Sequence, residues 1–79
     1  MIKTAKERYA EDKKLITNDF GAKVIEGEIT NYEQIEQELV NNLKEINDIE
    51  SDDYKKAENR LERFRNLAQN VEEDYDKFQ

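Results

Sequence analysis

The chain has 79 residues, of which 13 are basic and 20 acidic, giving a formal charge of −7, and only 35% are hydrophobic. A chain of that length forms one small domain at most, with a thin core. With no His and no Cys there is no imidazole base, thiol nucleophile, disulfide or thiolate zinc site, and two glycines cannot build a Gly-rich phosphate loop.

The first helix is predicted over about residues 5–19. Thr4-Ala5-Lys6-Glu7 fits a capping box, in which hydroxyl and carboxylate reciprocally satisfy free N–H groups. Ala5, Tyr9, Ile16 and Phe20 make a narrow apolar stripe, and Gly21 supplies the left-handed residue that ends many helices. So meagre a stripe leaves this helix dependent on its neighbours.

Residues 22–29 read as an extended connection. Val24, Ile25 and Ile29 are β-branched, and Gly27 weakens a helix by about 1 kcal/mol relative to Ala. A single helical turn is the alternative, since a lone strand lacks a partner edge.

The second helix is predicted over about 31–48, opened by a second capping box, Thr30-Asn31-Tyr32-Glu33. Tyr32, Ile35, Leu39, Val40, Leu43, Ile46 and Ile49 give it a broad apolar face. The third helix, over 52–78, carries the clearest signal. Tyr54, Ala57, Leu61, Phe64, Ala68, Val71, Tyr75 and Phe78 repeat at alternating spacings of three and four, and Leu67 is the only other apolar residue among them. Ser51 can cap this helix, and Asp52 and Asp53 suit the positive end of its dipole. A seam of this kind is what helical hairpins and coiled coils use. The expected fold is therefore all-α, a single small helical domain over 1–79. In it a short N-terminal helix packs on an antiparallel hairpin of the second and third helices, with a coiled-coil-like third helix. The third helix outruns the second, so its turns at 71–78 need cover from the first helix, a partner or a second copy, and a homodimer is expected.

Charge is distributed in blocks. The net charge is +2 over residues 1–25, −9 over 26–53, +3 over 54–71 and −3 over 72–79. An antiparallel hairpin sets the start of the second helix beside the end of the third, so that Glu26, Glu28, Glu33 and Glu36 share one end with Glu72, Glu73, Asp74 and Asp76. Like charges gathered in this way repel one another, and they also form a surface suited to a basic protein partner. Such a surface can imitate nucleic acid phosphates in a DNA- or RNA-binding groove. Lys56, Arg60 and Arg63 form a basic stripe whose expected role is internal ion pairing, because Glu58 and Glu62 interleave with it and the acidic second helix lies beside it. Nucleic acid binding would need a positive overall field.

Other constellations carry less. Asp48 to Asp53 resembles the start of a calcium loop, but its sixth position is Asp53 and its twelfth is Asn59, where Gly and Glu are needed. Glu33-x-x-Glu36 and Glu73-x-x-Asp76 resemble the paired acidic motifs of all-α nucleotide pyrophosphatases, which would imply Mg²⁺ between facing helices. The intervening segment is longer than that family's pattern, and the second pair lies near the terminus. Tyr9, Tyr32, Tyr54 and Tyr75 read as core-edge residues with hydroxyls in water.

In size, acidity and helicity the chain is similar to small inhibitor or accessory proteins of phages and mobile elements, a likeness of character that covers no motif. The expected function is a protein-binding module, an inhibitor of a basic target by charge mimicry, with a self-assembling scaffold as the alternative. No enzymatic activity, cofactor, metal, direct nucleic acid binding or membrane association is expected. Apolar runs never exceed two residues, so neither a membrane span nor a signal-peptide core is read, and the cytoplasm is the expected compartment.

Overall fold

The computed structural model describes residues 2–79. Its elements, in chain order, are α1 (Ala5–Phe20), β1 (Val24–Ile25), β2 (Glu28–Ile29), α2 (Tyr32–Glu45) and α3 (Asp52–Phe78). No helix is long and apolar enough to cross a membrane among the described residues.

Local chemistry sets each boundary. At the start of α1 the Thr4 hydroxyl oxygen accepts from the Glu7 N–H at 3.2 Å. The predicted box is half formed, because the Glu7 carboxylate accepts from the Thr4 hydroxyl instead of a backbone N–H. Gly21, at φ 69°, ends the helix and donates to the Thr17 carbonyl at 2.9 Å.

Residues 22–29, read from the sequence as an extended connection, contain two short strands that pair with each other. Val24 pairs with Ile29 and Ile25 with Glu28, antiparallel. The two turn residues, Glu26 at φ 49° and Gly27 at φ 80°, both have the positive φ of the hairpin turns whose twist matches their strands. The second predicted capping box does not form. Asn31 instead uses its side chain as a clamp, accepting from the Lys23 N–H at 2.8 Å and donating to the Gly21 carbonyl at 3.1 Å. That amide ties the base of the β-hairpin to the end of α1.

Helix α2 stops three residues earlier than predicted. Asp48 Oδ1 accepts from the Glu50 N–H, and the Asp48 carbonyl accepts from both the N–H and the hydroxyl of Ser51. This local pairing offers the backbone a turn in place of another helical repeat. Ile49, expected on the apolar face, is consequently 67% exposed. Ser51 caps α3 as expected, accepting from the Tyr54 N–H.

Helix α3 is the spine of a flat molecule measuring 44 × 28 × 17 Å. Helix α1 lies antiparallel along its C-terminal part, with Arg8 on Asp74 at one end and Asp19 on Arg63 at the other. Helix α2 starts beside Phe64 and Arg65 and returns to the α3 N-terminus through residues 46–51. Fully buried Phe64 joins the two sides, its ring 5.2 Å from Phe20 of α1 and 5.0 Å from Tyr32 of α2. Ile16, Ala22, Ile35, Leu39, Leu61, Leu67, Ala68 and Val71 complete the core. The seam turns at 71–78, which motivated a second copy, are covered by α1: Tyr9 packs on Tyr75 and Phe78, each at 5.3 Å.

Candidate functional site

The acidic end is assembled by the β-hairpin. Gly27 is buried with its backbone against the Tyr75 ring, where a Cβ would lie 2.6 Å from the ring carbons, and its N–H donates to the Tyr9 hydroxyl at 3.2 Å. This seating fixes the turn on the last turns of α3. It brings Glu26 and Glu28, from either side of Gly27, to Glu72 and Asp76 around one groove of about 320 Å³, with Tyr75 in its wall. All four carboxylates are exposed, and none has an ion-pair partner among the described residues. On the α2 side of the turn a second groove of about 420 Å³ also includes Glu28 and Glu72, with Tyr32 and Arg65.

The other four predicted residues lie elsewhere. Glu33 is exposed on the first turn of α2 and meets Glu28 only across a shallow depression. Glu36 is neutralised, accepting from Arg65 Nε at 3.0 Å and from the Tyr32 hydroxyl at 3.2 Å. Partial burial, followed by the Glu36 charge, raises the Tyr32 phenol above its ordinary range. Glu73 accepts from Gln69 on its own helix. Asp74 is only 6% exposed and accepts from Arg8 Nε at 3.2 Å, so it presents no charge to a partner. The reason for these departures is register: α2 begins beside the middle of α3, and the hairpin fills the place expected for the start of α2.

The two acidic pairs of the pyrophosphatase resemblance are not juxtaposed, and no group of three or more acidic side chains among the described residues is arranged to hold a metal ion. Two residues of the basic stripe meet the end of α1. Arg60 lies over the Phe20 ring at 4.5 Å and donates to the Asp19 carbonyl, and Arg63 pairs with the Asp19 carboxylate. Both serve the C-terminus of α1, which has no basic residue in its own last turn. Two of the tyrosines expected to reach water are used internally, Tyr9 by Gly27 and Tyr32 by Glu36.

Reading the sequence missed the role of Gly27, and a signal was present. Gly27 supplies a residue that accepts positive φ, and the β-branched residues Val24, Ile25 and Ile29 flank it, as a two-residue hairpin needs. Compared with protein-family models, with curated proteins and with solved structures, the chain gives no significant match in any of the three.

Proposed function

We propose that the protein is a small acidic binding module that captures a basic, nucleic-acid-binding protein through the groove between the β-hairpin and the end of α3. The observation that supports this reading is the ring of Glu26, Glu28, Glu72 and Asp76, four exposed carboxylates held together without an internal cation. The arrangement works against folding through self-repulsion, and a cationic partner would convert that repulsion into attraction. A carboxylate array of this kind substitutes for phosphates, so the target's nucleic acid site is the natural point of attack and inhibition the outcome. In this reading α2 and the first half of α3 form an antiparallel, coiled-coil-like stem, and the hairpin end is the working end. The type of protein is that of small inhibitors carried by phages and mobile elements, acting in the cytoplasm.

The test uses immobilised protein and a pool of nucleic-acid-binding proteins enriched on heparin. A specific basic protein is retained, is released by roughly 0.5 M salt, where the screening length falls well below 10 Å, and is displaced by added duplex DNA. The combined Glu26→Gln, Glu28→Gln, Glu72→Gln and Asp76→Asn variant keeps its helical circular dichroism and loses retention. Retention that survives both salt and these substitutions overturns the proposal. Recovery of nothing but the protein itself favours the self-assembling scaffold.

A further inference from the structure

Away from the acidic groove, the interface between α1 and the last turns of α3 contains a second group of acids with a different character. Asp74 is 6% exposed and has one cationic partner, Arg8, whose Nε lies at 3.2 Å. Arg8 is itself held in place, donating through Nη1 to the Lys3 carbonyl at 2.7 Å. One turn further along α1, half-buried Asp12 comes within hydrogen-bonding reach of Asp74. Two carboxyl groups therefore meet at a packed interface, and only one of them, Asp74, is paired with the guanidinium. The other charged groups near Asp12 are Glu11 on its own helix and the Lys3 ammonium, and Lys3 Nζ engages both Glu11 oxygens at 2.7 Å.

We propose that Asp12, Asp74 and Arg8 form a pH-responsive clasp, in which a proton shared between the two carboxyls tightens α1 onto the last turns of α3 as the solution becomes more acidic. With both carboxyls ionised the cluster carries two negative charges against one positive, and like charges so close to each other disfavour joint ionisation. With one proton taken up from solvent, an O–H···O⁻ bond replaces the repulsion and Arg8 faces a single negative charge.

The titration of Asp12 agrees with this geometry. Partial burial first, then the charge and hydrogen bond of Asp74 and the charge of Glu11, raise its carboxyl above the ordinary value of 3.8, with Arg8 opposing. Between the ordinary value and the raised one, the folded chain holds a proton that the unfolded chain has released. Stability therefore rises as pH falls through that window and is lost as pH climbs above it.

The experiment is urea unfolding, followed by circular dichroism between about pH 7 and pH 4, of the wild type, Asp12→Asn and Glu62→Gln. The exposed Glu62 side chain removes the same charge at a distance from the clasp and controls for general relief of repulsion. Asp12→Asn carries the hydrogen-bonding amide permanently, so its unfolding constant at pH 7 is severalfold smaller than that of the wild type. The advantage shrinks towards zero on acidification, while Glu62→Gln runs parallel to the wild type. An Asp12→Asn constant equal to or larger than the wild-type value at pH 7, or an advantage that ignores pH, overturns the proposal. A carbon-detected NMR titration of the wild type reads the same property without any substitution. An Asp12 midpoint above that of an unstructured Asp peptide supports the clasp, and one at or below it rejects the clasp.

Discussion

Between Asp52 and Arg60 the seam residues of α3, Tyr54 and Ala57, stay half-buried, whereas Leu61, Phe64, Ala68 and Val71 beyond them are all buried. Both stretches obey the same alternation of three and four. They differ in the flanking positions. Arg60, Leu67 and Asp74, seven residues apart, form a second row beside the seam: Arg60 lies over Phe20 of α1, Asp74 holds Arg8 of α1, and Leu67 between them is buried in the core. Before Arg60 the same row holds Asp53, a first-turn residue exposed to solvent. A narrow seam supports one neighbouring helix, and a seam with an added flank supports two. The width of the apolar face, more than its periodicity, separates the thin end of the molecule from the thick one.

The substitution with the largest expected effect removes the residue that belongs to both sides. Phe64→Ala withdraws a fully buried ring from Phe20 and Tyr32 together, and such truncations cost about 3–5 kcal/mol. Domains of this size hold only about 5 kcal/mol or little more, so the variant is largely unfolded by circular dichroism at room temperature. If it retained wild-type helicity and cooperativity, the two sides would be independent, and the comparison drawn from the seam would fail.

Gly27→Ala tests the thick end alone. The added Cβ meets the Tyr75 ring at 2.6 Å, and the residue stands at φ 80°. The conformation costs about 1–2 kcal/mol for an L side chain, and the clash adds a further 1–3 kcal/mol or so. The expected loss is roughly 2–5 kcal/mol in urea unfolding. Amide exchange should then quicken in β1, β2 and residues 71–78 before it does in α2. Equal quickening in α2 would show that the hairpin supports the whole molecule and not one end of it.

These two residues also mark how far the sequence could be read. Phe64 stood out on the seam, and α3, the Ser51 cap, Gly21 and the all-α class follow from periodicity and end chemistry that operate within a few residues. Gly27 did not stand out, because its use depends on a ring 48 positions away that approaches only once α1 and α3 are docked. The acidic groove shows the same division. Composition and charge blocks identified Glu26, Glu28, Glu72 and Asp76, but they also included Glu36 and Asp74, whose arginine partners are fixed by helix register. Register depended on where α2 begins along α3, and the β-hairpin, invisible to helical periodicity, sets that point. Asp12 was passed over although its spacing from Tyr9 and Ile16 sets it on the apolar stripe of α1. A lone acid on such a stripe is a local inconsistency, and inconsistencies of that kind mark places where another requirement competes with packing.

The smallest effect sharpens the comparison most directly, because it sets one ion pair against another. Glu36–Arg65, on the α2 side, is made at 3.0 Å with its side chains 32% and 49% exposed. Arg8–Asp74, on the α1 side, has a similar length of 3.2 Å, but its carboxylate is buried. Water competes for both Glu36 and Arg65, and each long side chain gives up rotamer freedom to hold the pair, so the coupling in a double-mutant cycle is about 0.2–1 kcal/mol. Glu36→Gln keeps an oxygen that can accept from the Tyr32 hydroxyl, which isolates the charge contribution from that hydrogen bond. Raising the salt to about 1 M shortens the screening length to about 3 Å and brings this coupling close to zero. The same salt leaves most of the Arg8–Asp74 coupling in place, since the surrounding protein excludes the ions that would screen it. A Glu36–Arg65 coupling above about 2 kcal/mol, or one indifferent to salt, would mean that water has little access to the α2 side. The contrast between the two sides of α3 would then lie in shape alone and not in how firmly each is held.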